Sequence, residues 1–155
     1  PEIMAKITED EFRETVQHQR DLGKVPAFRR MDLSNLGLYE ADLDGVDLSG
    51  SDLSAANLGK AKLRKAILAN ADLSGVDFAL ADLSGADLSG ADMLQTNLRD
   101  ANLTGARLRG AVLTGVNLAG ATLDDTDLAG LQFDAYTRWP VGFDPKAAGA
   151  VRSRA

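Results

Sequence analysis

From Leu33 to Phe133, every fifth residue is a large apolar side chain. It is Leu throughout except at Phe78, Met93 and Phe133. The residue two places before it is small or β-branched, apart from Met31, Leu36 and Leu131. The residue between these two is most often Asp or Asn, and the last of each five is often Gly. Cut from Met31, the chain reads MDLSN, LGLYE, ADLDG, VDLSG, SDLSA and onward to TDLAG and LQFDA. That makes 21 units without an insertion, ending at Ala135.

A period of five fits neither an α-helix nor a flat strand. On a helix, five residues advance about 500°, so the leucines would spiral around the rod. On a strand, successive leucines would alternate faces. A chain that turns a corner every five residues keeps every Leu inside, and Gly at the fifth position suits such a corner. The expectation is a solenoid with leucines and small residues inside and positions two, four and five outside. Cutting a central Leu to Ala should then cost about 2–5 kcal/mol.

Composition agrees with a regular interior. Apolar residues make up 45% of the chain but aromatics only 5%, so the core must come from stacking rather than from large rings. With no cysteine, disulfides and thiolate metal sites are excluded. No stretch approaches the roughly 20 apolar residues of a membrane span. No signal-peptide pattern is read at the N-terminus, and the expected location is the cytoplasm.

Tandem A(D/N)LxG units over residues 31–135 resemble the pentapeptide-repeat proteins. The resemblance implies an all-β solenoid, a right-handed quadrilateral β-helix with four units per coil and about five coils. Residues 1–30 are expected to form an N-terminal capping helix and linker, and residues 136–155 a C-terminal cap and flexible tail. Thr8 to Glu11 reads as a capping box opening a helix over residues 9–22, with Phe12, Val16 and Leu22 along one side and Gly23 at its stop. Val25 and Phe28 are expected to pack beneath it. Past Ala135, the run Tyr136 to Pro145 is similar to a T-x-(W/F)-P-x-G-F-D-P segment of cyanobacterial members. Trp139 and Phe143 are read as a lid, and residues 147–155 as disordered.

The net charge is −6 and is unevenly spread. Residues 31–135 hold 16 acids and seven bases, whereas residues 136–155 hold one acid and four bases. An acidic body disfavours direct nucleic-acid binding, which relies on Lys and Arg displacing counterions from phosphate. If residues twenty apart stack, Asp32, Asp52, Asp72 and Asp92 form one column at steps of ~4.8 Å. Repulsion along it should raise some carboxyl pKa values and attract cations. The plainer reading is that Asp and Asn bond to nearby backbone amides. A second column, Asp47, Asp87 and Asp127, is interrupted by Ile67 and Arg107.

Lys60, Lys62, Arg64 and Lys65 form a basic cluster; Arg99, Arg107 and Arg109 form another. By the same rule Lys62 lies between Asp42 and Asp82, and Arg107 between Asp87 and Asp127. Either cluster compensates the acids around it or serves as a docking patch. Leu80 and Leu94 fall at outward positions.

Catalytic chemistry finds little to build on. His18 is the only histidine, and it has no cluster of ligands around it. A uniform carboxylate ladder lacks the unequal environments that acid–base pairs need. No phosphate loop, EF-hand or calcium nonapeptide is present, and the threonines are too scattered for an ice-binding row. The expected function is a non-enzymatic protein-interaction or scaffolding module without cofactors. Its surface would include Asp32, Asp52, Asp72, Asp92, Lys60, Lys62, Arg64 and Lys65. Its partner is an unidentified protein, and it is a monomer or a dimer through the C-terminal cap. The alternative, implied by resemblance to gyrase-protecting members, is an acidic DNA mimic that binds a topoisomerase.

Overall fold

The computed structural model describes residues 6–153. Its body is a right-handed quadrilateral β-helix. Parallel bridges join residues twenty apart along each wall, as in Asp32 to Asp52 to Asp72 to Asp92, and Asn57 to Asp77 to Asn97 to Asn117. Each unit of five forms one wall of a coil. The first wall runs through the units at 31, 51, 71, 91, 111 and 131. The second starts at 36, the third at 41 and the fourth at 46, each repeating every twenty residues.

The repeat satisfies its own backbone. The first residue of a unit donates its N–H across the preceding corner, as Ala41 does to Leu38 O at 3.1 Å. The second donates to the coil on the N-terminal side, as Asp52 does to Met31 O at 3.0 Å. The third and fifth donate to the coil on the other side, as Leu33 does to Asp52 O at 2.7 Å and Asn35 to Ser54 O at 2.9 Å. The fourth N–H is left, and the Asp or Asn side chain at position two accepts it. Ser54 N lies 2.9 Å from Asp52 Oδ1. Position two is therefore Asp or Asn because the fourth amide needs an acceptor.

Corners form at positions four and five, and the fifth residue has positive φ from Arg30 to Gly130 whether or not it is Gly. At Gly120 (φ 74°) an added Cβ would fall 2.0 Å from Asp100 Oδ1. Gly120→Ala is therefore expected to lower stability by about 1–2 kcal/mol, read from a urea titration, through left-handed strain and displacement of that carboxylate.

The interior is dry and close-packed. Leu53, Leu73, Phe78 and Met93 are all 0% exposed. Ser51 and Thr96 replace the usual Ala at position one and remain buried, because each hydroxyl donates to a leucine carbonyl, Leu48 O at 2.6 Å and Leu73 O at 2.8 Å.

At the N-terminal end, helix α1 spans Glu9–Asp21. Thr8 Oγ1 accepts from Glu11 N at 3.2 Å and donates to Glu11 Oε1 at 2.8 Å. Beyond the helix, Gly23 N donates to Arg20 O and Lys24 N to Gln19 O, both at 2.9 Å, with Gly23 at φ 69°. This is the Schellman arrangement expected of a C-terminal glycine. Phe12 and Val16 are buried, and the Phe12 ring lies 4.3 Å from that of Phe28. Leu22 and Val25, by contrast, are exposed. Pro26 is buried instead of Val25, because residues 26–30 already form a coil wall. Ala27 bridges Asp47, Phe28 occupies the leucine column, and Arg30 turns the corner at φ 55°. The coil thus begins five residues before Met31.

The C-terminal end corrects the expectation of a disordered tail. Strands β1 (Val112–Leu113), β2 (Gln132–Phe133) and β3 (Val151–Arg152) form a parallel sheet in that order. Val151 N donates to Leu131 O and Ser153 N to Phe133 O, each at 2.7 Å, and Ala150 is buried. The last coil would otherwise present a row of unpaired backbone groups, and the tail supplies their partners. Arg154 and Ala155 lie outside the described residues. Trp139 packs edge-on to Phe133 at 5.4 Å and stacks on Phe143 at 5.3 Å, closing that end.

Candidate interaction surface

The Asp column exists on the first wall, but its carboxylates are not alike in use. Asp32, Asp52 and Asp72 each accept from the amide two residues on, at 2.9–3.0 Å. Each also accepts from the Ser hydroxyl at that place, at 2.6 Å. Asp92 accepts only from Leu94 N, at 3.3 Å. Oδ1 is thus engaged with the chain, while among the described residues Oδ2 of Asp52, Asp72 and Asp92 has no protein donor and faces out.

At the N-terminal end of the column, Lys6 extends the ladder by bridging Asp32. Its Nζ lies 3.4 Å from Asp32 Oδ1 and 2.6 Å from Ser34 O. The expectation of raised pKa values fails at Asp32. The Ser34 hydroxyl and amide, with Lys6 beyond them, hold its carboxyl below the usual 3.8. Hydrogen bonds to the ionised form outweigh the cost of desolvating it. Among the described residues no three His, Asp or Glu side chains converge as a metal site.

The charge pattern differs from wall to wall in a way the column alone does not reveal. The units of the first wall contain no Lys or Arg, whereas the other three walls mix both signs. The third wall carries Asp42, Asp44, Asp82, Asp124 and Asp125 against Lys62, Arg64 and Lys65. The fourth carries Asp47, Asp87 and Asp127 against Arg29, Arg30, Arg107 and Arg109.

Three of these seven bases, Arg29, Arg64 and Arg109, are held in ion pairs. Arg64 grips Asp44 through Nη2 at 2.6 Å and Nε at 3.0 Å, while its backbone N donates to Asp44 Oδ1 at 2.8 Å. That last bond replaces the acceptor lost where Lys62 stands in the Asp position. Burial pushes the Asp44 carboxyl up, and the Arg64 contacts more than offset it, so its pKa lies below the usual value. Asp47 is buried and follows the same balance, with Arg29 Nε 2.6 Å from its Oδ2. Arg109 pairs with Asp127 at 2.6 Å. Lys62 does sit between Asp42 and Asp82, and Arg107 between Asp87 and Asp127.

The eight residues selected from sequence therefore do not make one surface. In a four-sided coil the first and third walls face opposite directions. Asp32, Asp52, Asp72 and Asp92 share the first wall, whose bases, Lys6 and Arg152, stand at its two ends. Lys62, Arg64 and Lys65 lie on the far side, and Lys60 sits at the corner between the second and third walls, 5.8 Å above the Tyr39 ring. His18 lies in the capping helix. A surface hollow of about 600 Å³, lined by Gly115, Asn117, Ala135, Tyr136 and Arg138, opens beyond the column where Tyr136 adds one residue to the circuit. Among the described residues no helix is long and apolar enough to cross a membrane.

We found no curated protein that the sequence matches. Solved structures do match. A pentapeptide repeat protein, Rfr23, from the cyanobacterium Cyanothece 51142 is 30% identical with a TM-score of 0.74; the match covers 79% of this chain and 96% of that one. HetL, a pentapeptide repeat protein involved in heterocyst differentiation regulation in Nostoc sp. strain PCC 7120, shares the fold at 24% identity and a TM-score of 0.51, with 84% and 79% covered. The family model for pentapeptide repeats matches residues 56–95, 77–115 and 91–130. Together with the twenty-residue circuit and its leucine column, these matches establish that the chain belongs to the pentapeptide repeat family.

Proposed function

We infer that the protein is a non-enzymatic interaction module that offers its first wall to a basic protein partner. The observation that carries this reading is the wall's charge. Asp52, Asp72 and Asp92 stand in register between Lys6 and Arg152 at the two ends of the wall, with no Lys or Arg among its repeat units, while Arg29, Arg64 and Arg109 on the other walls are paired with acids. A rigid ladder of carboxylates attracts a complementary surface and costs little ordering entropy on binding. The column's aspartates each bind their own backbone amide through Oδ1, which suits presentation rather than proton transfer.

The test uses a substitution that removes charge and keeps the backbone bond. Asn already serves at position two in Asn57, Asn97, Asn102 and Asn117, each accepting the fourth amide at 3.0–3.1 Å. A Asp52→Asn, Asp72→Asn, Asp92→Asn variant should therefore fold normally. Immobilised wild-type protein should retain a protein from a cell extract that the triple variant loses and that moderate salt releases. Equal retention by both would sink the reading.

The DNA-mimic reading draws on the same acidic wall. Its column places one charge every ~4.8 Å, against one per about 1.7 Å in duplex DNA. That shortfall favours the basic protein partner. A gyrase supercoiling assay separates the two: inhibition at micromolar protein would favour mimicry.

A further inference from the structure

The twenty-residue circuit gains one residue, at Tyr136. On the second wall Asn57, Asp77, Asn97 and Asn117 follow one another at steps of twenty, but Arg138 follows Asn117 at twenty-one. The extra residue is taken up at the corner between the first and second walls. One coil earlier at that corner, Gln95 N donates to Thr114 O at 2.8 Å. Gly115 N would meet Asp134 O in the same way, and instead reaches Asp134 Oδ1 at 3.1 Å. The last coil therefore stands off at this corner, and the space it leaves is the hollow of about 600 Å³. A bulge of this kind re-aims the side chains beside it.

Gly115 and Ala135 leave room in the hollow, and Asn117, Tyr136 and Arg138 bring its polar side chains. No carboxylate lines it. Arg13, Arg20, Arg29, Arg64 and Arg109 each hold an acid, whereas Arg138 has none within ion-pair distance among the described residues. Asn117 uses its Oδ1 on Ala119 N at 3.0 Å, and its Nδ2 has no acceptor among the described residues. Tyr136 is 79% exposed and adds a hydroxyl. The unspent guanidinium and amide groups are donors only, which is the lining an anion needs. Asp134 sits behind the corner with Oδ1 bound to the amides of Gly115, Tyr136 and Thr137. Its charge opposes a phosphate dianion more than a single negative charge. One guanidinium balances one charge, and its fork matches the two oxygens of a carboxylate.

We propose that the hollow is a carboxylate-binding site and that it takes the C-terminal carboxyl of the protein partner. The assignment to a C-terminus rests on the function inferred above; the carboxylate site stands without it. The first wall changes character toward this end. Its column runs through Asp52, Asp72 and Asp92, continues with Val112 and Gln132, and ends beside Arg152. From Asp92 to the hollow is roughly 12 Å, or about four residues of extended chain. A segment whose bases lie on the aspartates therefore reaches Arg138 with its terminus, cation on acid along the wall and carboxylate on base at its end.

Benzoate and its neutral amide, benzamide, probe the hollow alone. In a nitrogen-15 NMR titration, benzoate should shift the Arg138 Nε–H and the Gly115 and Tyr136 amides with a dissociation constant on the order of millimolar, and benzamide should bind about tenfold more weakly. Arg138→Gln should weaken benzoate about tenfold, while Arg107→Gln, at the same repeat position on the opposite wall, should change it less than about twofold. The second probe is a labelled peptide of a lysine run, a Gly-Ser spacer of about four residues and a final phenylalanine. Wild-type protein should bind its free acid about fivefold more tightly than its carboxamide, although the amide carries more positive charge. Arg138→Gln should erase that preference, and the Asp52→Asn, Asp72→Asn, Asp92→Asn variant should weaken both peptides alike. Thermal melts verify that each variant is folded. Benzoate binding that survives Arg138→Gln, or that benzamide equals, would overturn the site. No preference for the free acid would overturn its assignment to a C-terminus. Peptide binding that the triple variant leaves intact would instead count against the first wall.

Discussion

Replacing Leu73 by Ala is expected to lower the unfolding free energy by about 3–4 kcal/mol. Leu73 is 0% exposed, in the middle of the solenoid, with Leu53 and Met93 above and below in the same column. The inward wall has no alternative side chain to fill the space, because every neighbour at position one is as small as Ala71 or as rigid as Val76. Collapse of the coils would break the ladder that fixes their spacing, so the cavity persists. The loss corresponds to a fall in Tm of roughly 6–16 °C for a domain of this size. Leu80→Ala is the contrast. It removes the same atoms from an exposed corner and should move stability by less than about 0.5 kcal/mol. Urea titrations of both variants at pH 7 check the pair. A Leu73 effect below 1 kcal/mol would mean that this column does not form the core.

Asp134→Ala should be the most damaging polar substitution, at about 2–4 kcal/mol. Asp134 is 8% exposed and ends the regular repeat. Its Oδ1 accepts from Gly115 N, Tyr136 N and Thr137 N, each at 3.1 Å, and from Thr137 Oγ1 at 3.0 Å. The single Thr137 hydroxyl proton is shared between that carboxylate and Leu113 O, 2.5 Å away, so the carboxylate fixes the step that carries the chain into the lid. Removing it strands several donors at once. Asp134→Asn keeps one acceptor and should cost less.

The pH dependence has a definite sign. Burial pushes the Asp134 carboxyl up, but the donors around it pull harder and its pKa lies below the usual 3.8. A lowered folded-state pKa gives stability that is complete above the unfolded value and is lost as pH falls through the folded one. Wild type and Asp134→Asn should therefore differ near neutrality and converge as pH drops below about 3.8. Denaturant midpoints between pH 7 and pH 2.5 test this. A gap that stays constant would mean that the ionised carboxylate is not what stabilises the corner.

How much was legible depended on whether a feature repeats. The leucine column and the corner at every fifth residue follow from a pattern written 21 times, and the resemblance that this pattern carries implied the four-sided coil and the stacking of residues twenty apart. The N-terminal helix was legible from Thr8, Glu11 and Gly23, because capping chemistry is local in sequence. The unit at 26–30 was missed because Pro26 and Phe28 replace the usual Ala and Leu and Arg30 stands where Gly is common, although the spacing was already correct. The tail was misjudged for a different reason. Small and basic residues suggest disorder only while the edge they could join is out of view. Ala150 and Val151 are held by backbone bonds to residues 131–133 that no side-chain pattern announces.

The candidate surface divides along the same line. Sequence alone determined which residues line the tube and which face water, because a strict period of five converts position in the chain into inside or outside; that Asp32, Asp52, Asp72 and Asp92 share a column followed from the four units per coil that the family resemblance implied. Only the tertiary structure decided what those charges amount to. It placed Lys62, Arg64 and Lys65 on the opposite wall, closed Arg64 onto Asp44, and bound each aspartate's Oδ1 to its own backbone. The physical reason is range: a repeat fixes where a side chain starts, but partners for its charged end come from neighbouring coils and from the chain ends, where the period no longer applies.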